Sequence, residues 1–74
     1  MLVVRHHDRP GVLAHVFDRL RTANLNVQET ENVIFEGAHA AVARINLDGA
    51  PGDRVLKEIQ DGNSDILDLH LVTI

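Results

Sequence analysis

The chain has no cysteine, no tryptophan and no tyrosine, only two phenylalanines and two prolines, and fewer basic than acidic residues. Without cysteine there are no disulfides and no thiolate metal site, and a heavy-metal carrier built on Cys-x-x-Cys is excluded. Without tyrosine or tryptophan there is little to stack bases on, as an RNA-recognition module must. The 7 Lys and Arg against 11 Asp and Glu give a net charge of −4, a field that repels a phosphate backbone, so nucleic acid is not expected as a partner. The apolar runs are far shorter than the roughly 20 residues that span a bilayer. The N-terminus shows no basic segment followed by an apolar core, so no membrane partner and a cytoplasmic location are expected. There is no Gly-x-Ser-x-Gly elbow, no glycine-rich phosphate cradle and no evident acid-base pair, and neither an enzyme nor a cofactor is expected.

What remains is a sequence of 74 residues with 45% hydrophobic content, enough for one domain over residues 1–74. A chain of this length buries only about 60% of the surface that its unfolded form exposes, so support from a partner chain or a host domain is expected. Strand-like sequence begins at once with Met1, which suggests a segment from the C-terminus of a larger enzyme, restarted with methionine.

Leu2, Val3 and Val4 predict a strand over about residues 1–6. From Pro10, Val12, Leu13, Val16, Phe17 and Leu20 share one face of a helix of about three turns, with Asp8 placed to cap it and Asn24 to stop it. Residues 25–35 and 38–47 read as a hairpin turning near Glu36-Gly37, the second strand alternating Ala41, Ala43, Ile45 and Leu47 against Ala40, Val42, Arg44 and Asn46. Val55, Leu56 and Ile59 mark a short helix ending at Gly62, and Leu67, Leu69 and Leu71 alternate along a last strand. His15, His39 and His70 read as surface residues, and Val3, Val42, Ile66 and Val72 as a partly apolar outer face. The order βαββαβ predicts an α+β ferredoxin-like sandwich, a four-stranded antiparallel sheet with two helices on one face, strands one and three central and strands two and four at the edges.

Fold alone does not give function. The informative stretch is Val4-Arg5-His6-His7-Asp8-Arg9-Pro10-Gly11-Val12-Leu13, where strand one meets helix one. Gly11 lets a ligand approach the backbone, and the first helical turn offers unpaired N–H groups to a carboxylate. Asp8 can meet an ammonium group, and His6 can offer a donor or an acceptor. His6, His7 and Asp8 do not read as a metal site, because neighbours on a strand point to opposite faces and no further ligand is close in sequence.

This stretch resembles the ACT domain family, in which an Asp- or Asn-x-Pro-Gly loop followed by Val/Ile-Leu joins strand one to helix one. Leu25-Asn26-Val27 matches a second family motif at the start of strand two. The pattern is closest to the serine-binding C-terminal regulatory domains of D-3-phosphoglycerate dehydrogenases, which carry His-x-Asn-Arg-Pro-Gly-Val-Leu. The resemblance implies allosteric control of an attached or partner enzyme by a small-molecule effector, an amino acid with serine as a candidate, held between two domains that form a homodimer along edge strand two. It implies effector-binding roles for His6, Asp8, Pro10, Gly11, Val12, Leu13 and Asn26, with His6 and Asp8 in one chain and Asn26 in the other. Asp8 stands where the serine-binding version has Asn, and an anion there favours an amino group over a carboxylate. The rival reading is a dimerisation module of the same fold that senses nothing. An acylphosphatase shares the topology, but its Gln-Gly-Val pattern is missing around Arg9.

Overall fold

The computed structural model describes residues 1–35, 37 and 39–72; the expected turn through Glu36 and the expected strand start at Ala38 fall outside this set. The elements run β1 (Leu2–His7), α1 (Val12–Thr22), β2 (Val27–Phe35), β3 (Ala40–Leu47), α2 (Asp53–Asp61) and β4 (Ile66–Leu71). All neighbouring strands are antiparallel, in the order β2-β3-β1-β4. This is the ferredoxin-like α+β arrangement, with β1 and β3 inside and β2 and β4 at the edges.

Strand alternation and helical periodicity converge on one core. Leu2 and Val4 of β1, Ala43 and Ile45 of β3 and Ile66 of β4 pack against Val12, Val16 and Leu20 of α1 and Ile59 of α2. Both helices therefore cover the same sheet face. Each large side chain so buried contributes roughly 1.5–3 kcal/mol relative to exposure.

Three local readings are corrected. Helix α1 begins at Val12, not Pro10, and no side chain caps it; Asp8 does not act as its cap. On β4 a register irregularity opposite Arg5 and His6 turns Ile66 inward, at 6% exposure, and leaves Leu67 outside. Ile66 thus belongs to the core and not to the outer face. His15 is not a free surface residue either: its Nε2–H donates to the Ile59 carbonyl oxygen over 2.9 Å, tying α1 to α2.

The end of α1 follows from its sequence. Asn24 adopts φ 62°, a left-handed conformation that asparagine tolerates. The Leu25 N–H reaches back to Leu20 O at 3.0 Å and the Asn24 N–H to Arg21 O at 2.9 Å, the paired bonds of a Schellman stop. The close approach of α1 to α2 depends on Gly62, where an added Cβ would lie 2.6 Å from His15 Cε1 and 2.7 Å from the Glu58 carbonyl oxygen. Because the second contact is backbone, the side chain alone cannot yield. Gly62→Ala is expected to lower the unfolding free energy by about 1–3 kcal/mol in urea titrations, as overpacking does.

Candidate functional site

β1 is paired on both sides, so the point at which the chain leaves the sheet is fixed. His7 N–H donates to Asp65 O at 2.8 Å, Asp8 N–H to His39 O at 2.9 Å, and Arg9 N–H to His7 O at 2.9 Å, the last closing a tight turn about Asp8. The loop from β1 is thereby held between the β2–β3 connection and the α2–β4 connection. Asp65 reinforces this with its side chain, 3.3 Å from His7 Nδ1 and 3.6 Å from the Arg9 guanidinium. Asn63 Oδ1 in turn accepts from the Asp65 N–H at 2.8 Å.

Pro10 and Gly11 then reverse the chain. Gly11 has φ 86° and ψ −11°, and Val12 N–H points to Arg9 O at 3.4 Å. A proline followed by a glycine at positive φ fits the two central positions of a type II turn. The first bond of α1 runs from His15 N–H to Gly11 O, 3.0 Å. No side chain caps this turn, so among the described residues the Leu13 and Ala14 N–H groups have no side-chain acceptor, and Asp8, Pro10 and Gly11 beside them are exposed.

The expected site residues divide into groups. Asp8, Pro10 and Gly11 form the exposed loop surface. Val12 is 1% exposed and packs in the core, where it anchors the helix start. His6 is buried, with Nδ1 2.9 Å from His7 O and Nε2 3.1 Å from Asn32 Oδ1. Its ring is committed to protein partners, and the exposed polar side chain at that position is Asn32 of β2. Leu13 and Asn26 share an open groove of about 550 Å³ with Phe17, Arg21, Leu25, Val27 and Thr30, between α1 and the start of β2. Asn26 is held there by its backbone: its N–H donates to Asp48 Oδ1 at 2.9 Å, and Asp48 N–H returns to Asn26 O at 3.1 Å.

One chain does not bring Asn26 to the loop. β2 is parallel in sense to β1, because each is antiparallel to β3. Asn26 therefore lies at the end where β1 starts, and the loop lies at the end where β1 finishes. The nine residues of β2 separate them by about 25–30 Å at roughly 3.3 Å per residue. A second groove, bordered by Met1, Asn46, Leu47, Pro51, Leu71 and Val72, contains none of the expected residues. Among the described residues no three His, Asp or Glu side chains gather as metal ligands, and no helix is long and apolar enough to cross a membrane.

Asn32, Asp65 and His39 were not singled out in the sequence. For Asn32 a signal existed: alternation puts Thr30, Asn32 and Ile34 on the helix-bearing side of β2, opposite Ile45, Ala43 and Ala41. A polar residue on that side, with only the small alanines of β3 between it and an inward histidine, invites a pairing. Asp65 and His39 act largely through backbone carbonyls, which no residue type announces.

No family model matches the sequence, and no curated protein matches it. Among solved structures it is similar to GqqA, described as a novel type of quorum quenching acylase, with a TM-score of 0.73 and 24% identity over 93% of this chain. The present chain spans 26% of that protein's length. At this identity the likeness shows the fold, which in GqqA is part of a longer chain.

Two substitutions separate turn geometry from capping. Asp8→Ala is expected to change unfolding free energy by less than about 0.5 kcal/mol, because no cap bond is lost. Gly11→Ala is expected to cost about 1 kcal/mol or more, because its positive φ strains any side chain. A loss of about 1 kcal/mol in Asp8→Ala would restore the capping role.

Proposed function

We propose that the chain is a regulatory domain of the ACT type that binds an amino acid, with serine as first candidate, between two copies joined along β2. The observation that carries this reading is the edge strand itself. Val33, Ile34 and Phe35 are 37%, 58% and 46% exposed on consecutive positions of a strand with one free side. An apolar edge of this kind is a site for pairing with another chain. Antiparallel pairing of two β2 strands near their middles sets the start of one beside the end of the other. Asn26 of each copy then approaches the Asp8-Pro10-Gly11 loop of its partner, and the grooves lined by Leu13 and Phe17 close against each other.

In this arrangement the ammonium of the amino acid meets Asp8, and the uncapped first turn of α1 provides N–H donors and a partial positive charge for its carboxylate. The domain itself performs no catalysis and needs no cofactor. Its effect on an attached or partner enzyme, for which a cytoplasmic D-3-phosphoglycerate dehydrogenase is the candidate, arises because ligand favours one relative arrangement of the two domains over another.

Calorimetric titration with each of the twenty amino acids, alongside sedimentation, tests this. Saturable binding of one amino acid to a dimer is expected, and Asn26→Ala is expected to weaken it at least tenfold without dissociating the dimer, since the Asn26 backbone makes the contacts with Asp48. A folded dimer that binds none of them would instead be the dimerisation module.

A further inference from the structure

Both helices cover one face of the sheet, and among the described residues nothing covers the other. Val3 and Val42 stay only half-buried there, although they stand on the two central strands. The strand register sets the outward side chains in rows. One row runs Val33, Val42, Arg5, Asp68 from β2 to β4, and the next runs Glu31, Arg44, Val3, His70. Each row holds an arginine between a valine and an acid, and the second holds them in the reverse order of the first. Arg44 Nη1 stands 3.4 Å from Glu31 Oε1, and His70 Nδ1 3.9 Å from Asp68 Oδ2. The result is a checkerboard of arginine and valine with an acid at either edge, not a field of one sign.

Such a face is complementary to a copy of itself. When a copy is turned over onto it, about an axis in the sheet plane that runs between the two rows, Arg5 comes to lie over Val3 and Arg44 over Val42. Asp68 then lies over His70, and Glu31 over Val33, so that no like charges are opposed. Sheets stacked in this way stand about 10 Å apart, within reach of arginine side chains. One chain offers a face of roughly 400–500 Å², at about 4.8 Å between strands and 3.3 Å per residue, short of the about 800 Å² per partner of a stable interface. Joining two chains along β2 doubles the face to that size.

We propose that the helix-free face is a second self-association surface, on which two β2-joined pairs stack sheet against sheet into a tetramer, with Arg5 and Arg44 of each chain over Val3 and Val42 of the chain opposite. This rests on the β2 pairing of the reading above and requires no ligand. A closed assembly needs the stacking axis to cross the two-fold axis of the β2 contact, which then stands at Asn32, between Glu31 and Val33.

The test is analytical ultracentrifugation of the 74-residue chain over a wide concentration range, without ligand. The wild type is expected to be a dimer at low concentration and a tetramer at high concentration. Val42→Lys sets a cation over the opposite Arg44 and is expected to raise the dimer–tetramer Kd roughly tenfold or more, with the dimer intact. Val42→Glu sets an anion at the same place and is expected to keep the tetramer. Neither substitution touches the core, and circular dichroism checks that both variants fold. A wild type that stays dimeric at every concentration, or a tetramer that the two variants change equally or not at all, would overturn the stacking and leave the β2 pairing standing. A dimer that Val42→Lys dissociates would put the face in place of β2 at the dimer contact and overturn the edge pairing. A wild type that is monomeric throughout would overturn both.

Discussion

The pairing of β1 with β3 on one side and β4 on the other is the constraint on which the geometry at the loop depends. Backbone bonds along both flanks hold Leu2 and Val4 in the core, and the same pairing delivers His6 and His7 to the sheet end in a fixed register. The loop beyond them inherits that order through the Asp65 and His39 carbonyls. Few of these bonds involve the side chains that face solvent. The supporting framework and the exposed side chains are therefore largely separate, which is why an Asp8 substitution is expected to have little effect on folding.

A central β1 also fixes what is left open. Among the described residues β2 pairs with β3 alone and presents a free edge with apolar side chains on both faces. A domain of 74 residues has little core to spare, and covering such an edge adds burial that the single chain cannot provide. Under the proposed reading the stability of the assembly and the completeness of the site come from the same contact.

Much of this could be read in the sequence, and the exceptions have physical causes. Strong periodicity in Val12, Val16 and Leu20 and strict alternation in Ala41, Ala43 and Ile45 gave the elements and their faces, and Asn24 ended its helix as its tolerance of positive φ suggested. The loop was harder, because Asp8 and Pro10-Gly11 satisfy both a capping pattern and a turn pattern. The turn prevails because Gly11 takes φ 86°, and this leaves Asp8 without a role in the helix. On β4 the bulge opposite His6 shifts alternation by one residue, so Ile66 took the inward place that the pattern assigned to Leu67. The His6–Asn32 contact spans 26 positions and depends on the register of three strands, which local spacing does not encode. The proposed assignment of the seven residues His6, Asp8, Pro10, Gly11, Val12, Leu13 and Asn26 as a site came from motif resemblance; the fold supplies their grouping at two ends of one sheet.

That separation has a thermodynamic consequence for any ligand that needs both ends. A site within one chain binds whether or not the chain is paired, and its occupancy carries no information about assembly. A site whose halves lie about 25–30 Å apart along β2 exists only in the pair, so ligand binds the pair and not the separated chains. Mass action then stabilises the paired arrangement by RT ln(1 + [L]/Kd), about 2.7 kcal/mol at a ligand concentration one hundred times Kd. In a domain whose own margin is small, that amount is enough to move the association equilibrium roughly a hundredfold. Under the proposed reading, placing the loop at one end of the sheet and Asn26 at the other is what would convert a small-molecule concentration into a change in how two chains are held together.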